Sequence, residues 1–113
     1  MEMLDAVPTL SALAHPGRLA IFRALVQAGP DGLPAGEISR RLGIAPNTLS
    51  ASLNLLAQAG LVAGVRHGRS IVYCAVYARM AALLGFLMED CCQGRSEICT
   101  PLAEFAERAR CCA

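Results

Sequence analysis

Residues 38–62 read ISRRLGIAPNTLSASLNLLAQAGLV, and two helices joined by a short turn are written in them. The first belongs to a helix predicted over residues 34–42, with Ile38 and Leu42 turned inward and Arg40 and Arg41 outward. Gly43 ends it. Beyond Ile44, Ala45 and Pro46, a second and strongly periodic helix is predicted over residues 47–59, stopped by Gly60. Leu49, Leu53 and Leu56 fall on one side of it, while Asn47, Thr48, Ser50, Ala51 and Asn54 fall on the other. One side suits packing on a domain. The other, small and polar, can approach base edges or phosphates in a major groove without steric cost.

Downstream, residues 61–65 and 70–76 are rich in β-formers, and Arg66-His67-Gly68-Arg69 joins them. The reading is a hairpin, with Gly68 supplying the turn. A helix pair followed by a hairpin with a basic tip is the order of a winged helix-turn-helix. In that order Arg66, His67 and Arg69 are expected to reach phosphates or the neighbouring minor groove, giving affinity and salt dependence, while the helix reads sequence.

Upstream, residues 4–14 predict a short helix with Leu4, Val7, Leu10, Ser11 and Ala14 along one side. His15-Pro16 breaks it, and His15 is expected to cap or pack. A helix over residues 16–28 follows, with Leu19, Phe22, Ala24, Leu25 and Val26 at helical spacing. It stops at Gly29-Pro30, before an Asp31-Gly32 turn. A last helix over residues 78–90 carries Met80, Ala81, Leu83, Leu84, Phe86, Leu87 and Met88, so it must be buried on more than one face. The expected fold class is mainly α with a β-hairpin: a winged helix-turn-helix that dimerises through its terminal helices. Residues 1–92 form the DNA-binding and dimerisation domain in this reading, and residues 93–113 a cysteine-containing tail.

Composition agrees with such a design. The chain has 113 residues, 55% of them hydrophobic and only 17% charged. That is apolar for a small monomer and favours burial of surface between subunits. The net charge of +1 is uninformative until it is mapped. Residues 15–74 carry Arg18, Arg23, Arg40, Arg41, Arg66 and Arg69 against Asp31 and Glu37. From residue 89 onward, Glu89, Asp90, Glu97, Glu104 and Glu107 outnumber Arg95, Arg108 and Arg110. A basic middle and an acidic end suit an anion-binding core with a separate C-terminal function. No basic region followed by an apolar run opens the chain, and no apolar stretch approaches a membrane span. A cytoplasmic location with no membrane partner is expected, and the six cysteines then point to thiol chemistry rather than a disulfide framework.

The segments LAHPGRLAIFRAL, ISRRLGIAPNTLSASLNLLAQAGLV and GVRHGRSIVYCAV, within residues 13–76, resemble the ArsR/SmtB family of metal-responsive repressors. The resemblance implies a homodimer on double-stranded operator DNA of imperfect two-fold symmetry, with repression relieved by metal. Ser52 stands where many relatives carry His, a departure that bears on the detailed DNA contacts. Two inducer sites known in the family have no counterpart: no cysteine lies in residues 36–39, and no histidine in residues 78–90.

What remains is Cys91-Cys92-Gln93-Gly94-Arg95-Ser96-Glu97-Ile98-Cys99. Adjacent Cα atoms lie about 3.8 Å apart, and Gly94 lets the chain bend to bring Cys99 back. Three thiolates suit a soft centre that bonds sulfur and keeps a lone pair, as trivalent arsenic does; they also suit Cu(I), Cd, Hg, Pb or Zn. Zinc usually wants a fourth ligand, and no His stands close in sequence. The spacing resembles that of an arsenite-responsive subgroup, with a vicinal pair at the end of the last helix and a third cysteine downstream. Cys91, Cys92 and Cys99 are therefore the expected metal ligands. The inducer is As(III), with Sb(III) and methylated As(III) as close variants, and no resident cofactor is required. Cys111-Cys112 can add ligands or be a frayed end, and Cys74, inside the hairpin, reads as structural.

Two other readings stand beside this one. A thiol-redox switch would release DNA on oxidation instead of ion binding. A thiol enzyme or metal-transfer protein would use the Cys pairs directly. It finds little support, since no Cys-x-x-Cys in a thioredoxin-like setting, no Ser/His/Asp set and no phosphate loop is present. No enzymatic activity is expected.

Overall fold

In the computed structural model, which describes residues 1–88, the predicted helix pair is α3 (Ala35–Leu42) and α4 (Pro46–Gln58). They follow α1 (Met3–Leu13) and α2 (Pro16–Ala28), and precede a hairpin of β2 (Val62–His67) and β3 (Ser70–Ala75) and a last helix, α5 (Tyr77–Leu87). A two-residue strand, β1 (Leu33–Pro34), precedes α3. It pairs antiparallel with β3, Leu33 opposite Tyr73 and Pro34 opposite Val72, so the sheet order is β1-β3-β2. The hairpin is thus one side of a three-stranded sheet. Pro34, expected as the first residue of the helix, is instead its N-cap in extended backbone (φ −64°, ψ 150°). A proline at a sheet edge costs no ladder hydrogen bond, so one residue can end a strand and open a helix.

The core is built where the helix pair meets the sheet. Ile21, Leu25, Ile38, Leu53, Leu56 and Leu61 are fully buried, with Phe22, Leu49, Val62 and Ala75 packed around them. Two helices turn differently from a simple apolar-inward reading. α1 buries Ala6, Thr9 and Ala12, while Leu4, Val7 and Leu10 stay exposed. α2 buries Ile21, Phe22 and Leu25, and leaves Leu19 and Val26 exposed. α1 also packs against α5, where Leu83 is buried and Leu84 and Leu87 are exposed. Among the described residues, α1 and α5 therefore carry much of the exposed aliphatic surface.

Helix ends follow local chemistry. His15 caps α2 by accepting from the Gly17 amide through Nδ1 at 3.1 Å. Arg18 reaches back to carbonyls in the last turn of α1, donating from Nε to Ala12 at 2.7 Å and from Nη2 to Ser11, which also accepts from the Ala14 amide, at 3.3 Å. None of the helices among the described residues is long and apolar enough to cross a membrane.

Candidate nucleic-acid interface

The turn between α3 and α4 is tightly closed. Gly43 ends α3 in the left-handed region, at φ +65°. The Ile44 amide donates to the Ser39 carbonyl at 3.2 Å, and the Ser39 hydroxyl donates back to the Ile44 carbonyl. Pro46 then opens α4, where its missing N–H costs nothing, and the Leu49 amide donates to the Ala45 carbonyl at 2.9 Å. These hydrogen bonds close the turn between the two helices.

α4 shows the two sides its sequence implies. Leu49, Ser52, Leu53 and Leu56 are buried, whereas Asn47, Thr48, Ser50, Ala51 and Asn54 are all exposed. Ser52 is only 9% exposed and lies with the leucines. The departure at this position therefore changes what sits beneath the helix rather than the outer row that would meet DNA.

α4 carries no charged residue, so electrostatic attraction must come from its neighbours. On α3, Arg40 and Arg41 are exposed but share one counter-charge. Arg41 Nε donates to Glu37 Oε1 at 2.8 Å, and Arg40 pairs with the other carboxylate oxygen. The hydrogen bond from Arg41 is the main cause that holds the Glu37 carboxyl below its ordinary range; desolvation opposes it, and the nearby charge of both guanidiniums adds to the lowering. Arg18, counted among the basic residues of the middle segment, is committed to the end of α1.

The wing differs from its expected form in one respect. Arg66 and His67 belong to β2, paired with Ile71 and Ser70, so the loop holds only Gly68 and Arg69. Gly68, at φ +62°, makes that two-residue turn possible. Because successive side chains alternate across a strand, Arg66 shares the face of Gly64, Ile71 and Tyr73, and His67 the opposite face with Val65 and Val72. The three wing residues therefore surround the tip, rather than lining one side of it. Gly64 is needed where it stands, since a Cβ there would lie 2.9 Å from the Tyr73 ring and 3.0 Å from Ile71. Cys74 Sγ donates to the Pro30 carbonyl at 3.4 Å and joins β3 to the turn before β1, in keeping with a structural role.

Cys91, Cys92 and Cys99 lie outside the described residues, as does the boundary expected at residues 92/93. Among the described residues, no group of three His, Cys, Asp or Glu side chains could hold a metal ion.

A helix pair locked by a glycine turn, an outward polar row on the second helix and a glycine-turned basic hairpin define a winged helix-turn-helix regulator. Residues 13–65 match a family described as a helix-turn-helix domain. The chain is 32% identical over 83 residues to the biofilm growth-associated repressor of Xylella fastidiosa (strain Temecula1 / ATCC 700964), covering 74% of this chain and 70% of that protein. It belongs to the ArsR/SmtB family of transcriptional regulators, which are not enzymes.

It is also 42% identical over 76 residues, 67% of this chain, to the HTH-type transcriptional regulator NmtR of Mycobacterium tuberculosis (strain ATCC 25618 / H37Rv), and spans 61% of that relative's length. Among solved structures, an ArsR-like transcriptional regulator from Rhodococcus sp. RHA1 superposes with a TM-score of 0.67 at 25% identity, covering 94% of this chain and 93% of that one. The homodimeric winged helix-turn-helix domain of Mb0332 from Mycobacterium bovis, described as a possible ArsR-family regulator, gives 0.61 at 30% identity, over 78% and 82% of the two chains.

Proposed function

We propose that the protein is a dimeric repressor that binds operator DNA and is released when a soft trivalent metalloid, arsenite first, is bound by Cys91, Cys92 and Cys99. The observation that carries the DNA-binding half is the exposed uncharged row on α4, from Asn47 to Asn54, set beside the basic tip at Arg66 and Arg69. That division of labour suits sequence reading by α4 and phosphate contact by the wing. Dimerisation is supported by the exposed aliphatic residues of α1 and α5, and by the homodimeric state of the related Mb0332 domain.

The inducer half is carried by sequence: a vicinal cysteine pair and a third thiol seven residues beyond Cys92. Arsenite exchanges three hydroxyls for three sulfurs; each thiol proton leaves with a hydroxyl as water, and no redox partner is needed. Ion binding in the segment that follows α5 in sequence then alters the spacing or mobility of the two α4 helices. By linkage, the ion weakens DNA binding only as far as DNA weakens ion binding.

The test is a gel shift on the DNA upstream of the protein's own coding region, titrated separately with arsenite, antimonite, a methylated trivalent arsenical, cadmium, lead, zinc and peroxide. Release by arsenite or its trivalent relatives is the expected result. Release by peroxide with arsenite inert assigns a redox switch, and release by cadmium, lead or zinc alone assigns a different soft ion. Absence of a shift at low salt overturns the DNA-binding reading.

A further inference from the structure

Arg79 stands in the first turn of α5, yet its side chain runs inward to two other elements. Its Nη2 donates to Thr9 Oγ1 on α1 at 3.2 Å. Thr9 is fully buried, and its hydroxyl donates to the Asp5 carbonyl at 2.9 Å. On the way, the stem of Arg79 crosses Gly60, where an added Cβ would stand 3.4 Å from Nε, 3.5 Å from Cδ and 3.7 Å from Cγ. Gly60 follows the C-terminal end of α4 and sits at φ +78°. α4 itself has no basic residue in its last turn, and the Arg79 side chain lies against the glycine just beyond that turn.

Two further facts mark this corner. The Val76 amide, at the N-cap of α5, donates to the carbonyl of the buried Leu61 at 2.8 Å, so α5 is also tied to the chain entering β2. And Nε of Arg79 is buried with no hydrogen-bond partner among the described residues. A buried N–H left unpaired is costly, and a Leu or Met at this position would fill space without that cost. Packing alone does not account for an arginine here.

We propose that Arg79 is a positioning residue for operator binding. It holds the C-terminal end of α4 and the start of the wing at a fixed distance from α1 and α5. This rests on the dimeric DNA-binding reading above: if α1 and α5 form the dimer interface, the spacing between the two α4 helices is transmitted through this contact. Operators read by paired helices demand such spacing, whereas unrelated DNA, held through phosphates, does not.

The experiment compares the full chain with Arg79→Met, Arg79→Lys and Thr9→Val. It measures affinity for the operator and for an unrelated duplex by fluorescence anisotropy across a salt series, with dimer mass and Tm alongside. Arg79→Met is expected to lose about tenfold or more on the operator, the size of one lost charged hydrogen bond. It should lose almost nothing on the unrelated duplex, with the slope of log K against log salt unchanged and the dimer intact. Thr9→Val should show the same pattern in smaller degree, and Arg79→Lys, which keeps the charge but not the fork, should recover part of the loss. Equal losses on both duplexes, or a salt slope lower by about one, would mean a direct phosphate contact and overturn the proposal. An Arg79→Met dimer that binds the operator like the wild type overturns it alone, while a wild-type chain with no operator preference overturns the DNA-binding reading as well. Should Arg79→Met fail to fold, Thr9→Val decides, and unchanged operator affinity there is fatal.

Discussion

Arg41 Nε donates to Glu37 Oε1 at 2.8 Å, one turn along the helix that precedes α4. The same carboxylate takes Arg40, so two of the exposed guanidiniums beside α4 are half neutralised before DNA arrives. Replacing Glu37 by Gln should free both. Affinity for DNA of any sequence is then expected to rise, by roughly two- to fivefold at low salt, and the salt dependence to steepen by about one counterion. Anisotropy titrations on specific and unrelated duplexes between low and moderate salt check this. Unchanged affinity on both would show that α3 does not approach phosphates.

The same pair has a pH signature. The Glu37 carboxyl is held below its ordinary value of 4.5, first by the Arg41 hydrogen bond. A depressed carboxyl stabilises the fold above its unfolded pKa, and that contribution is lost as pH falls through the folded value. The difference in Tm between wild type and Glu37→Gln should therefore be present at neutral pH and close in acid. Because both arginine partners are exposed, the difference is small. A gap that widens on acidification would contradict the pairing.

Gly64 and Tyr73 offer a sharper test of the wing. Since a Cβ at Gly64 would meet the Tyr73 ring at 2.9 Å and Ile71 at 3.0 Å, Gly64→Ala forces a ring tilt or a strand shift. A cost of about 1–3 kcal/mol is expected from such overpacking. Thermal melts should show a loss of several degrees in Tm. Made in a Tyr73→Ala background, which is itself destabilised because Tyr73 packs on the core, the same Gly64→Ala change should cost less than it does in the wild type, because the obstructing ring is gone. If Gly64→Ala alone leaves Tm unchanged, Tyr73 does not lie over that position.

Some of this was legible in sequence and some was not, for identifiable reasons. α4 was, because three leucines at helical spacing and a bounding glycine leave little choice for thirteen residues. β1 was not, since two residues have no period to detect and Pro34 is as good at opening a helix as at ending an edge strand. From sequence Arg66 and His67 look like loop, because charge and glycine crowd together there; only the register, set by the turn at Gly68, places them in the ladder. In α1 the apolar stripe of Leu4, Val7 and Leu10 is plain, but whether it faces its own core or another chain depends on what small residues such as Ala6 and Ala12 allow α1 to approach. Counting arginines also misleads: Arg18 and Arg79 spend their donors on helix ends and on Thr9, and spacing alone does not reveal it.

The wing arginines should behave as phosphate contacts rather than base readers. Arg66→Ala and Arg69→Ala are each expected to weaken binding to operator and unrelated DNA in similar proportion, and to lower the salt slope by about one. Asn47→Ala and Asn54→Ala on α4 should do the reverse, costing operator affinity by about tenfold while sparing the slope. The contrast is measurable in one set of salt titrations. Arginine variants that change sequence preference without changing the slope would move the reading function from α4 to the wing.

The cysteine assignment makes the strictest demand, because it separates induction from repression. Cys91→Ser, Cys92→Ser and Cys99→Ser keep side-chain size but remove a soft donor, and hydroxyl oxygen is a poor ligand for a thiophilic ion. Each variant should bind the operator as the wild type does, since none of the three lies in α4 or the wing. Each should also lose release by arsenite. A Cys74→Ser variant is the control: its thiol is engaged with the Pro30 carbonyl, so release should persist there at wild-type arsenite concentrations. If one of the three C-terminal variants keeps its response to a methylated arsenical while losing that to arsenite, two sulfurs suffice for an arsenic with only two hydroxyls to exchange, and the remaining pair identifies them. If all three still release DNA at the wild-type arsenite concentration, the ion binds elsewhere, and the sulfur-based account of induction is wrong even though the DNA-binding one stands.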